Sequence, residues 1–205
     1  FDVSGAGAAL IGAGTAQGNG FRGQGVRIGV VDVFQGYTTH LGRELPDASQ
    51  VVFRSFISGG AAGDSSHGVN VAEILHDVAP DATLYLAAMD DDVGYRNAVD
   101  WLISQGVSII NHSGGFGLFG DLKGHGPVSD KVGTAAASGV FYVESAGNEA
   151  QSHWEGRFRD SDRNGFAEFA PGVERISFTV EPANLDLRID LQWDDWGANP
   201  SDPRP

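Results

Sequence analysis

Val26-Arg27-Ile28-Gly29-Val30-Val31-Asp32 is a near-continuous apolar run that ends in a carboxylate. A strand buried on both faces, as in a parallel sheet, reads this way, whereas a half-exposed strand alternates. The rhythm continues downstream. Residues 51–56, 83–89, 107–111 and 140–144 are further strand candidates, with helical patterns between them. Ser65 and Ser66 can cap a helix starting near His67, with Val71, Ile74, Leu75 and Val78 at helical spacing and Pro80 just past its end. Residues 95–105 read as a helix with Ala98, Val99 and Leu102 inward and Gly106 as the stop; 128–138 read as another, ending at Gly139. Residues 8–16 allow a short helix in a Gly/Ala-rich opening. Alternating strands and helices specify an α/β fold of three αβα layers with a mostly parallel sheet. Ligands on such sheets bind beyond the carboxyl ends of the strands, and Asp32, Ser113 and Asn148 each fall at or just after such an end.

Beyond residue 150 the pattern changes. Ile176, Phe178 and Val180 alternate with polar residues, as do Leu185, Leu187, Ile189, Leu191 and Trp193, with Glu181-Pro182-Ala183-Asn184 as a turn between them. Period-two patterning predicts half-buried antiparallel strands. The expected organisation is an α/β unit over residues 1–150, then the start of a β-rich, sandwich-like insertion over 151–205. A lone hairpin is only marginally stable, so the chain is expected to end inside that second unit.

The 205 residues carry 13 Lys+Arg against 27 Asp+Glu, a net charge of −14. An acidic surface repels phosphate backbones and argues against nucleic-acid binding. No apolar stretch is long enough to span a membrane. With no Cys, disulfides, thiolate metal sites and cysteine nucleophiles are excluded. The glycines of residues 1–25 precede the first strand, whereas a dinucleotide-binding loop must follow it, so that reading fails.

Taken singly, the candidate residues are ambiguous. Asp32 can be a plain cap at a strand end. His67 can be structural, although Gly68 beside it lets something approach closely. Ser145-Ala146-Gly147-Asn148 can be an ordinary strand-to-loop turn, or can aim an amide N–H at a developing oxyanion.

Their order resembles the subtilisin-like serine proteases, the subtilases. Residues 26–32 resemble the strand that delivers that family's catalytic Asp. His67-Gly68-Val69-Asn70-Val71-Ala72 resembles its His-Gly-Thr-His-Val-Ala helix start, and Val78-Ala79-Pro80-Asp81-Ala82 the Val-Ala-Pro-x-Ala that follows. Ile110-Asn111-His112-Ser113-Gly114-Gly115 resembles Ile-Asn-Met-Ser-x-Gly, and Ser145-Ala146-Gly147-Asn148-Glu149 resembles Ala-Ala-Gly-Asn-Glu. The resemblance spans about residues 13–150 and implies a serine endopeptidase acting on peptide or protein substrates. Asp32 would hold the tautomer of His67, and His67 would be the general base. Asn148 would be the oxyanion donor, and Ser113, Gly114 and Gly115 would pair with an extended peptide as an added strand. It also implies a secreted protein.

The family's nucleophile block, Gly-Thr-Ser-Met-Ala-x-Pro, does not occur. Ser152, Ser161, Ser177 and Ser201 follow Asn148 in other contexts. Three accounts remain open: a nick in 199–205 with a C-terminal chain of the same precursor carrying the Ser, a truncated chain, or an inactive homologue that binds peptides. Val69, Asn70 and Glu73 also depart from the family pattern, as does Asp32-Val33-Phe34 where it has Asp-Thr-Gly. Sedolisins are related, but His67 and Asn148 fit the subtilisin type.

Asp160-Ser161-Asp162-Arg163-Asn164-Gly165 places oxygen ligands at alternate positions before a turn Gly, with Glu168 at the ninth position and Pro171 at the twelfth. This is half of a calcium loop, so Asp160, Asp162, Asn164 and Glu168 are candidate ligands for structural calcium; an acidic turn is the alternative. Asp90-Asp91-Asp92 reads as a solvated face. The six His have no paired spacing that would suggest zinc.

Overall fold

The computed structural model describes residues 6–116, 124–148, 153–177 and 189. Contacts divide the chain into two units, residues 1–145 and 146–205. The first is a five-stranded sheet formed by β1 (Arg27–Asp32), β2 (Val51–Ser55), β3 (Thr83–Ala88), β4 (Ile109–His112) and β5 (Phe141–Glu144). All pairings are parallel, in the order β2-β3-β1-β4-β5. The α/β sheet read from the apolar runs is therefore present, with strand ends displaced by one or two residues.

Helices cover both faces. Strand alternation divides β1: Ile28 and Val30 face one layer, where Val69 and Ala72 of α3 (His67–Val78) pack with Leu84 and Leu86. Val31 faces the other, where α4 (Asp92–Ser104) delivers Tyr95, Ala98, Val99 and Leu102, and α5 (Pro127–Ala137) delivers Ala135. Most of these side chains are fully buried, and each large one stabilises the fold by about 1.5–3 kcal/mol relative to exposure.

Three helix expectations need correction. The fully buried positions of α3 are Gly68, Val69 and Ala72; of the expected stripe, Val71 and Leu75 pack against the core partly buried, whereas Ile74 is 64% exposed. Its first turn lies close against β1, which turns Ile74 outward. And α4 begins three residues earlier than expected. Asp91 is its N-cap, accepting the Gly94 N–H at 2.6 Å, and Asp92 pairs with Arg96 at 2.9 Å. The single short helix expected over 8–16 is two, α1 (Ala6–Leu10) and α2 (Ala13–Gly18). From the second of these, Gln17 donates to the Asp77 and Val78 carbonyls, groups the end of α3 leaves unpaired.

The second unit shows a loop over 153–177 with one isolated bridge, Ala170 to Val173. The expected hairpin falls on 178–188 and 190–205, outside the described residues. Among the described residues, no helix is long and apolar enough to cross a membrane.

Candidate active site

Sheet order sets the location. From β1 the chain moves to β2 and β3 on one side, and β4 leads to β5 on the other, so the connections diverge between β1 and β4. Such a switch point opens a crevice at the carboxyl ends of the strands. There a cleft of about 270 Å³ is lined by Asp32 and Val33 after β1, Met89 and Asp90 after β3, and His112, Gly114, Gly115 and Phe116 after β4.

Asp32 is only 7% exposed and lies on the α3 side of β1, in step with Ile28 and Val30. Its Oδ1 accepts the Val33 N–H at 2.8 Å, and its Oδ2 lies 2.8 Å from Nδ1 of His67. His67 opens α3, where Ser65 Oγ accepts its backbone N–H at 3.2 Å; Ser66 makes no side-chain cap bond. The close approach is possible because residue 68 is Gly: a β-carbon there would stand 2.6 Å from both the Asp32 β-carbon and the Val33 carbonyl oxygen. With Asp32 ionised, Nδ1–H donates to it and Nε2 keeps a lone pair. The His67 side chain is 53% exposed, so Nε2 is accessible to a reacting group.

The Ser113–Gly115 segment leaves β4 on the opposite side of the cleft. Asn111 Nδ2 donates to Ser113 Oγ at 3.0 Å, and Ser145 Oγ donates to the Gly114 carbonyl at 2.9 Å. His112 lies beneath it, 1% exposed. Its Nδ1 is 2.9 Å from Glu144 Oε2, the residue in register with it on β5. Among the described residues its Nε2 has no hydrogen-bond partner, and a β-carbon on Gly114 would come within 2.7 Å of it. The ring lies between Tyr95, at a centroid distance of 5.0 Å, and Phe116 at 5.7 Å. Tyr95 and Tyr142 join their hydroxyls at 2.7 Å. Burial pushes the Tyr95 hydroxyl up to about 12 and raises Tyr142 further, so both stay protonated at neutral pH.

Sequence reasoning assigned no role to His112, Glu144 or Asp90. The signal was present for the first two, because each is a polar residue at the last position of a strand, and the two strands share a register.

Asn148 belongs to the second unit. It is exposed, at a bend after Gly147, whose φ of 84° lies in the left-handed region. The acidic loop is in that unit too. Asp160 accepts the N–H groups of Asn164 and Gly165, and Asp162 Oδ1 also accepts that of Asn164. Asn164 Oδ1 accepts the Phe166 N–H, and its Nδ2 donates to Asp162 and Glu174. Glu168 is buried and accepts from the Ser161 N–H and hydroxyl, which holds its carboxyl below the usual carboxylate range. Among the described residues, no three His, Asp or Glu side chains are grouped closely enough to hold a metal ion.

Subtilisin DY of Bacillus licheniformis is 27% identical over 160 residues, covering 70% of this chain and 54% of the relative. A solved lanthipeptide protease superposes with a TM-score of 0.52 at 24% identity, over 66% of this chain and 43% of that one, which supports the shared fold. The chain thus spans about half the length of these relatives. The profile of peptidase S8, the subtilase family, matches residues 56–173. With more than half its length matched in this way, the chain belongs to the subtilase family.

Proposed function

We propose that this chain supplies the Asp and His of a serine endopeptidase's triad. The observation that carries the reading is the 2.8 Å bond from His67 Nδ1 to a buried Asp32 at the sheet's switch point. Asp32 fixes the tautomer of His67 and stabilises the imidazolium that forms. His67 Nε2 takes the proton of a serine hydroxyl as that oxygen attacks the peptide carbonyl, then returns it to the leaving amine. In this reading the Asn148 side chain donates to the oxyanion, and the backbone of 113–115 pairs with an extended peptide.

No serine of residues 1–205 sits in the family's nucleophile block. We propose that the nucleophile comes from polypeptide outside these residues, a C-terminal chain of the same precursor included. The test is fluorophosphonate labelling of the protein as its source produces it, followed by intact-mass analysis. Labelling of a serine on an associated or longer polypeptide supports the endopeptidase. A complete gene product without that serine, taking no label, overturns it in favour of a peptide-binding module that has lost catalysis.

Secretion and calcium belong to the same proposal. Secretion rests on the family resemblance and is tested by fractionating the source culture. Structural calcium at Asp160, Asp162, Asn164 and Glu168 rests on oxygens at alternate positions, and a cation there must displace the loop's own N–H donors. A melting temperature raised by calcium and restored by chelator supports it; an unchanged one removes it.

A further inference from the structure

We propose that the cleft at the switch point is a subsite for a cationic side chain, Lys or Arg, of the bound peptide, with Asp90 as its counter-charge; this rests on the protease reading above. The three consecutive acids after β3 are not equivalent. Asp91 is committed to capping α4 and Asp92 to Arg96. Asp90 lines the cleft and, among the described residues, makes no hydrogen bond or ion pair. The other cleft carboxylate, Asp32, already has both oxygens engaged, by Val33 N–H and His67. Among the described residues no Lys or Arg lines the cleft, so none of them compensates the carboxylate of Asp90 there.

A second observation points the same way. His112, 1% exposed, lines this cleft with an unpartnered Nε2. Its Nδ1–H is committed to Glu144, so Nε2 offers a lone pair and lacks a donor. The buried acceptor calls for a hydrogen-bond donor and the free carboxylate for positive charge, and a Lys or Arg side chain supplies both. Met89, Val33 and Phe116 supply apolar surface for the methylene stem of such a side chain. An acidic side chain would instead meet uncompensated negative charge. The net charge of −14 adds long-range attraction for cationic peptides.

The experiment compares peptide pairs differing only by Lys against norleucine, at each position upstream of the scissile bond, using the full gene product. One position is expected to favour Lys by about tenfold in kcat/KM, as for a hydrogen bond to a charged group. Asp90→Asn, which keeps the shape of the side chain, is expected to bring that ratio close to one, while Asp92→Asn leaves it unchanged. Hydrolysis with no Lys preference at any position, or a preference that survives Asp90→Asn, overturns the subsite and leaves the protease reading standing. If neither peptide is hydrolysed and no serine takes the fluorophosphonate label, the protease reading fails. Fluorescence anisotropy of the same peptides on this chain then decides the subsite. A Lys preference removed by Asp90→Asn supports it, and equal affinities or no binding overturn it.

Discussion

Gly68 is packed directly against Asp32. A β-carbon on residue 68 would lie 2.6 Å from that of the aspartate, well inside contact distance, and the Gly68 N–H donates to the Val33 carbonyl at 2.9 Å. The first turn of α3 is thereby seated on the end of β1, which sets the reach of His67 toward Asp32. Gly68→Ala adds helix propensity worth up to about 1 kcal/mol but forces apart two backbone segments, and overpacking of this kind costs about 1–3 kcal/mol. We expect a net loss of stability in urea unfolding. A misplacement of about 1 Å near the chemistry costs on the order of 10²-fold, so peptide hydrolysis by the full gene product should fall by about that factor. A Gly68→Ala protein with unchanged stability and turnover would show that the helix start tolerates the extra carbon.

Asp32→Asn tests the dyad itself. An amide can present its NH2 to Nδ1 and so favour the wrong tautomer of His67, leaving Nε2 without a lone pair. In serine proteases generally the equivalent change lowers kcat by about 10⁴ with the geometry intact. The expected result here is a loss of that order in kcat, with folding preserved by circular dichroism and peptide affinity little changed. Retention of more than about a tenth of the wild-type kcat would show that Asp32 does not govern the proton on His67.

The fold was legible because burial on both faces leaves an unmistakable pattern: Ile28, Val30, Val31, Leu84, Leu86 and Ile110 sit in continuous apolar runs, and all are buried. Asp32 and His67 were legible through their contexts, a carboxylate ending such a run and a His-Gly at a helix start. The contact between them was legible only through the family resemblance, because it depends on where α3 packs, which the helical period did not reveal; Ile74 fits that period yet is exposed. Asp91 was hidden by its neighbours, since three acids in a row suggest solvent rather than one cap and one ion pair. His112 was hidden for a different reason. Its partner Glu144 is 32 residues away, and only the register of β4 with β5 brings them side by side.

Tyr95 and Tyr142 provide a test of packing in the layer beneath the cleft. Their hydroxyls satisfy one another at 2.7 Å in a largely desolvated setting. Removing one hydroxyl strands the other, which costs about 1–3 kcal/mol, whereas removing both with the rings retained can be nearly neutral. The single changes Tyr95→Phe and Tyr142→Phe should therefore each destabilise more than half as much as the pair together. A double-mutant cycle in urea should return a coupling energy of about 1 kcal/mol or more. Strict additivity would show that the two hydroxyls act independently.

Glu168 should make the second unit sensitive to acid. Two hydrogen bonds from Ser161 hold its carboxyl below the usual range. A group whose folded pKa is depressed contributes stability that is fully present above the unfolded value, about 4.3 for Glu, and is lost as pH falls through the lower folded value. The 160–168 turn should thus hold at pH 6 and loosen below about pH 4. Trp154 reports on it, because its indole N–H donates to the carbonyl of Phe169, next to Glu168, and its ring meets that of Phe169 edge-on at 4.9 Å. The Trp154 contribution to fluorescence, taken as the difference between wild type and Trp154→Phe, should change between pH 5 and pH 2. Glu168→Gln has no proton to gain in that window, so in that background the same difference spectrum should stay flat. A transition that persists unchanged in Glu168→Gln would show that the Glu168 carboxylate does not hold this turn.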